Sequence, residues 1–308
     1  MKYNIFGNGK VAFGVILLSF FVLLAVFGPW FTGSVLGLDA RANDISAIAA
    51  PPSAEHPLGT TQFGQDVLAQ VIEGARGSMF VGFLGATIGT AIAVLIGVPA
   101  GYFGGTTGNF LNFLTNLFLV MPVLPLIFVL AGYLQGTGLV MIAFIIGVFG
   151  WAGGARTLRA QAMSVSNRDF VQAARVNGEP LFRIIAVEML PNLLAVIASS
   201  FVGTVTAAIL AQTTLAFVGV TPISDWNWGT ILFWAQSNNA FPDRWWWYLP
   251  AGLCIALVGM ALALVNFGID EYVNPRLRSA GQRVRALRRK GITTAEGVTT
   301  VAEEPHAK

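Results

Sequence analysis

Long apolar stretches alternate with short polar segments along this chain, and the stretches have the length of membrane spans. Crossing about 30 Å of hydrocarbon takes roughly 20 apolar residues in a helix. Runs of that kind fall near residues 11–30, 79–100, 109–132, 138–154, 193–215 and 248–269. The pattern predicts an all-α integral membrane protein with six transmembrane helices. The connections between the runs carry the polar information.

One connection is more than a turn. Residues 156–192 are basic and half polar, and they stand between two membrane-length runs, so they lie outside the bilayer. Ser166 or Asn167 can cap a helix there, with Asp169 in its first turn, where a carboxylate suits the helix dipole. Phe170, Val171 and Ala174 are expected on one face. Gly178 ends this short helix, Pro180 suits the first turn of the next, and Pro191 interrupts the pattern again. The expected product is a compact knob that a partner could grip.

Residues 31–77 form a second unusual connection, long for a membrane hairpin. Pro51-Pro52 and His56-Pro57 predict a stiff, non-helical middle. From Gln65 to Ala75, Val67, Leu68, Val71 and Ile72 recur at helical spacing with Asp66, Gln70 and Glu73 opposite, which predicts a short helix lying at the interface. Glycines over 97–105 permit a tight turn and close helix approach. Trp245-Trp246-Trp247-Tyr248 is a dense aromatic patch; such belts anchor helices at headgroup depth, and could equally stack on a sugar or contact a docked protein.

Composition agrees with the pattern: of 308 residues, 55% are apolar and 11% charged, far from a soluble average. The N-terminal run is too long for a signal peptide and is expected to be a retained anchor. Basic residues set an orientation. With the N-terminus in the cytosol, the inner segments hold Lys2, Lys10, Arg156, Arg159, Arg168, Arg175, Arg183 and a cluster from Arg276 to Lys290, whereas the outer ones hold only Arg41, Arg76 and Arg244. Both termini are then cytosolic. The cluster, just past a span, suits anionic headgroups better than nucleic acid, and residues 291–308 are expected to be disordered. Cys254, alone, reads as packing.

Candidate chemistry is sparse. His56 has no neighbour at metal-ligand spacing and reads as a turn residue. No GxxxxGK[ST] pattern is present, so this chain is not itself an ATPase. The spans hold no acidic residue near mid-membrane of the kind an ion-coupled carrier uses, and no nucleophile–base pair, carboxylate dyad or metal constellation. This sparseness fits a subunit whose energy is supplied elsewhere.

Several motifs resemble one family. Gln172-Ala173-Ala174, Gly178 and Leu190-Pro191 look like the "EAA" loop of ABC importer permeases, with Gln172 for the leading Glu and Glu188 at an apolar place. Residues 56–82 resemble the HPLGTDxxGRDVLxRxxxGAR segment of the C-type permease of dipeptide and oligopeptide systems, with Thr61 and Gln65 for the usual Asp and Arg. Residues 97–105 match its GxxxGYFGG, residues 213–232 its LSFLGLGxxPPxxxWGxML, and Asn274-Pro275-Arg276-Leu277-Arg278 its terminal DPRLR. The likeness runs from about residue 11 to residue 278.

The resemblance implies the type I ABC importer fold: an N-terminal helix with an extracytoplasmic segment over 1–77, a core over 78–278, and a tail over 279–308. It implies a non-catalytic subunit in a bacterial cell membrane with no cofactor of its own, ATP and Mg²⁺ being bound by partners. Those partners are a second homologous permease, two cytosolic ATPases or one fused ATPase, and an extracytoplasmic solute-binding protein. Membrane lipid surrounds it and nucleic acid is excluded. Arg168, Asp169, Phe170, Gln172, Ala173, Ala174 and Gly178 are then the expected ATPase-coupling residues, and Asp66, Arg76, Asp225, Trp226, Trp228 and Trp245 the expected docking residues. Di- and oligopeptides are the expected cargo, with oligosaccharides or nickel chelates as the alternative. A secondary transporter of another class is the competing reading.

Overall fold

The computed structural model describes residues 9–133, 138–221 and 225–273. The basic cluster from Arg276, the DPRLR-like end and the tail over 279–308 lie outside the described residues, as do Lys2, Pro222 and His306. Described residues up to Ile269 pack as one unit; those from Asp270 belong to a second, of which only the last turn of the final helix is described.

The elements are α1 (Gly9–Phe31), α2 (Val67–Tyr102), α3 (Gly105–Val120), α4 (Val123–Tyr133), α5 (Gly138–Gly150), α6 (Ala152–Ser166), α7 (Asp169–Val176), α8 (Leu181–Arg183), α9 (Leu190–Phe217), α10 (Trp228–Ser237) and α11 (Trp245–Val273). A π-helical stretch, Thr32–Leu36, prolongs α1, and another, Ile184–Met189, joins α8 to α9. The described residues form no strand; a single bridge pairs Thr60 with Asp66.

Four helices can cross a membrane by length and composition, and two bent helix pairs bring the number to six if each pair is one span. The run expected to span over 109–132 is a bent pair: α3 and α4 meet at 77°. The cause is local. Pro122 disfavours helix at the residue before it, and Met121 is extended at φ −65°, ψ 134°. The run over 138–154 likewise bends by 43° between α5 and α6.

Two more expectations change. The separate interfacial helix over 65–75 does not exist as such; from Val67 onward these residues are the first turns of α2, one helix of 36 residues in which Gln70 and Val71 are both buried. Pro191 does not interrupt its helix either. The preceding π turn shifts the backbone bonding pattern, so a residue with no N–H is accommodated and helix runs from Leu181 to Phe217.

Helix α2 is the centre of the packing, touching α1, α3, α5, α6, α9 and α10. Its small residues allow this: a Cβ at Gly97 would lie 2.5 Å from the Ala155 carbonyl oxygen, and one at Gly101 2.5 Å from that of Arg159. Backbones of α2 and α6 therefore touch directly, as the glycines over 97–105 led us to expect, and helix contact in lipid depends on such approach. The middle of the 31–77 segment is non-helical, as its prolines imply.

Candidate functional site

The knob over 152–190 is built on a small apolar core. Val171 of α7 is fully buried among Ala155, Leu158 and Ala162 of α6, Ile184 and Met189 of the π turn, and Leu193 of α9. Asp169 opens α7 as expected, but the cap is a correction. Arg168 occupies the N-cap without a side-chain bond. Ser166 Oγ and Asn167 Nδ2 instead donate back to the Met163 carbonyl, 3.0 Å each, closing α6. Local bonding to a helix end they already belong to outcompetes capping the next one.

The far end of α7 follows the sequence closely. Gly178 has φ +73°. Its N–H donates to Arg175 O at 3.1 Å, and the Glu179 N–H to Ala174 O at 3.1 Å, which is the Schellman arrangement. Pro180 precedes α8, and its carbonyl accepts from Arg183 and Ile184. The three-residue apolar face divides: Val171 is buried and Ala174 half-buried, whereas Phe170 is exposed and borders a groove with Ala173, Ala174 and Asn177. Spacing of four brings Phe170 over Ala174, away from Val171.

Gln172 is exposed, and its Nε2 donates to Ser166 O at 2.9 Å. That carbonyl belongs to the unpaired end of α6, and an amide can donate to it where a carboxylate could not. Around these residues the knob exposes large apolar side chains: Val176 is 87% and Phe182 83% exposed, with Leu181 and Val187 beside them in sequence. In segments too polar to sit in hydrocarbon, such a surface marks an interaction site.

The opposite end, residues 38–66 with 225–248, is made differently. Asp66 is buried at the N-cap of α2, accepting from Ala69 N–H at 2.8 Å and lying 2.9 Å from His56 Nδ1. His56 is thus a hub, reaching toward Asp44 at 3.9 Å as well. Sequence spacing hid this because the partners are brought together only by the folded loop. The Ser46 hydroxyl and backbone N–H both donate to Asp44 and hold its carboxyl below its ordinary value. Trp246 Nε1 donates to Thr60 O at 3.3 Å, and Arg244 to Gln62 Oε1 at 3.0 Å, sewing the loop to α11.

Trp228 is fully buried: its Nε1 donates to Val71 O and its backbone N–H to Ser78 Oγ, both 3.1 Å, with Phe21 edge-on at 5.8 Å. Asp66 and Trp228 are therefore corrections to the expected docking set, since neither offers a surface. Arg76, Asp225 and Trp226 do come together, around a cleft of about 330 Å³ that also takes in Arg41, Glu73 and Phe80. Trp245 stands apart, half exposed and edge-on to Trp246. The aromatic patch is not a simple belt, because Trp247 is buried in the core. A larger groove of about 530 Å³ runs between α4, α5, α6 and α9, walled by Ile127, Gly153, Thr157, Ser200, Thr204 and Ala208 among others.

Comparison with known proteins agrees with this architecture. Residues 93–279 match the family described as binding-protein-dependent transport system inner membrane component. The dipeptide transport system permease protein DppC of Bacillus subtilis is 32% identical over 86% of this chain and 81% of its own length. The oligopeptide transport system permease protein OppC of Mycobacterium bovis is 34% identical over 79% of this chain and 83% of its own. The di/tripeptide transport system permease protein DppC of Pseudomonas aeruginosa is 30% identical over 89% and 91%. The chain therefore belongs to the inner-membrane components of binding-protein-dependent transport systems, the permease subunits of ABC importers.

Proposed function

We propose that this chain is the C-type permease of an ATP-driven peptide importer, with both termini in the cytosol and the knob facing an ATPase. The observation that carries the reading is the bare apolar surface of the knob. Val176 and Phe182, both more than four-fifths exposed, flank the Gly178 turn, and such groups stay in water only where a partner covers them. Val171 seats α7 in its own core, leaving Arg168, Asp169, Phe170, Gln172, Ala173 and Ala174 on or beside the outward faces. The small alanines permit close approach of an ATPase groove, and Gly178 sets the angle between α7 and the helix that leads into α9. Closure of two ATPase sites, whether on two chains or one, then swings the spans between inward-facing and outward-facing states.

ATP and Mg²⁺ are held by the ATPase partners. A second permease completes the passage, for which the groove between α4 and α9 offers a wall of small and hydroxyl side chains. An extracytoplasmic binding protein delivers cargo at the opposite end, where Arg76, Asp225, Trp226 and Trp245 remain available. The relatives' names point to di- and oligopeptides.

The test is uptake by proteoliposomes holding this chain with its partner permease and ATPases. Peptide uptake that needs ATP and the binding protein is expected. Uptake driven by an ion gradient without the ATPases would reject the importer reading. Thermal-shift screening of the binding protein with peptides, oligosaccharides and nickel chelates decides the cargo, and stabilisation by a chelate or sugar alone would reject peptides.

A further inference from the structure

We propose that Arg175 and Tyr102 form a latch through which movement of α7 is passed directly to α2. The inference rests on the reading that α7 docks on an ATPase, and adds residues and a route that the coupling-loop motif does not contain.

Helix α7 has only eight residues and is exposed on most of its sides. Val171 is its one fully buried side chain in the α6–α9 core, with Ala174 half-buried against that core and Gln172 bonded to the end of α6, so α7 is held close to neighbours in sequence. Arg175 is one turn further along. Its guanidinium carbon lies 4.1 Å from the centroid of the Tyr102 ring. Its Nε donates to Tyr102 Oη at 3.1 Å, and its Nη2 to the Tyr102 carbonyl at 3.3 Å. Among the described residues, these are the side-chain hydrogen bonds that tie α7 to a helix distant in sequence.

The chemistry suits a firm joint. A guanidinium is attracted to an aromatic face, and the carbonyl it reaches is in the last turn of α2, where unpaired acceptors and the helix dipole favour a cation. Tyr102 packs beside the core that holds Val171, and Phe103 meets its ring edge-on at 5.4 Å. Two attachments at positions 171 and 175 define a direction for α7, as a lever requires.

What the latch holds explains its use. Helix α2 is continuous from Val67 to Tyr102, roughly 54 Å at 1.5 Å per residue. At its other end, Asp66 caps it and Trp228 bonds to Val71, linking the cap loop and α10. A push at Tyr102 thus reaches the delivery end without passing through a loop. A route through α8 and α9 alone would have to cross the π turn at Ile184–Met189.

The test uses the whole transporter in proteoliposomes, with Tyr102→Phe, Tyr102→Leu, Arg175→Lys, Arg175→Leu and the double Leu variant. ATPase retained on the purified complex, ATP hydrolysed and peptide imported are measured together. Tyr102→Leu and Arg175→Leu are expected to lower peptide imported per ATP by about tenfold with ATPase retention unchanged, and the double variant to be no worse than either single one, since both remove one contact. Tyr102→Phe keeps the ring and should stay within about twofold of wild type. Arg175→Lys keeps a cation near the ring but lacks the planar fork that reaches ring and carbonyl together, so it should fall between wild type and Arg175→Leu.

Unchanged import per ATP in the Leu variants overturns the latch, including the case where they only lower the yield of assembled transporter. Should they misassemble, Tyr102→Cys with Arg175→Cys, in a chain carrying Cys254→Ala, is bridged by a bifunctional thiol reagent. Bridging should restore import per ATP, and failure to restore it overturns the latch. Ala174→Trp separates the two claims: if it leaves ATPase retention and import untouched, the docking reading is at fault, not the latch.

Discussion

The two ends of this permease are both irregular, polar in sequence and outside the apolar runs, yet they are held together differently. At the 38–66 end, several polar groups are buried and bonded: Asp66, Thr60 and Asn227 are almost wholly enclosed, each tied to backbone, although Ile45 is exposed there and Trp226 Nε1 and Trp247 Nε1 are buried without a hydrogen-bond partner. At the knob, apolar groups are left bare, with Val176 and Phe182 outward and one buried side chain, Val171, holding α7 down. Buried polar networks hold a shape, whereas exposed apolar groups wait for a partner. The contrast separates an end that keeps its form from one whose bare apolar surface suits the ATPase contact we propose.

That contrast can be broken most severely at Gly178. Gly178→Pro removes an N–H that bonds to Arg175 O and forces a φ of +73° to about −65°. Transport should be abolished while membrane insertion, read by fractionation, is intact; wild-type uptake would contradict the lever. Next in size is Trp228→Ala, which empties a fully buried site and takes the indole donor away from Val71 O. Thermal unfolding of the purified chain should show a loss of about 3–5 kcal/mol. A change confined to binding-protein affinity would return Trp228 to the docking surface.

Phe182→Asp sharpens the comparison from the other side. A side chain 83% exposed should alter the stability of the isolated chain by no more than about 0.5 kcal/mol. Retention of the ATPase on pull-down should nevertheless fall by about tenfold or more. The smallest effect is at Asp44. Its carboxyl is held below its ordinary value by the Ser46 hydroxyl and N–H, with His56 contributing. A depressed folded pKa gives stability that is present above the unfolded pKa and lost as pH falls through the folded one. Ser46→Ala should therefore shrink the drop in melting temperature between about pH 6 and about pH 3; an unchanged drop would show that the bond to Ser46 does not matter.

What could be read from the residues follows from the range of the forces involved. The apolar runs, the Gly178 turn and the short helix ending at Val176 are local, and each was legible: Gly178 has the positive φ its place in the motif demands. The bend between α3 and α4 was also local, since Pro122 announces it, but the apolar run masked the signal. Other features were not local. His56 meets Asp66 only because the loop folds back. Tyr102 and Arg175 are 73 residues apart. Trp228 belongs to a stretch rich in tryptophan that looks interfacial, and only packing against Phe21 and α2 separates it from its exposed neighbour Trp245.

The most direct test of the central claim, that the knob is the end gripped by the motor, is a cysteine at Phe182 in a chain carrying Cys254→Ala. In intact cells a membrane-impermeant thiol reagent applied outside should spare it, and in inverted vesicles a thiol crosslinker should join it to the ATPase in a yield that changes with ATP. Labelling from outside, or no crosslink to any ATPase, would contradict the account.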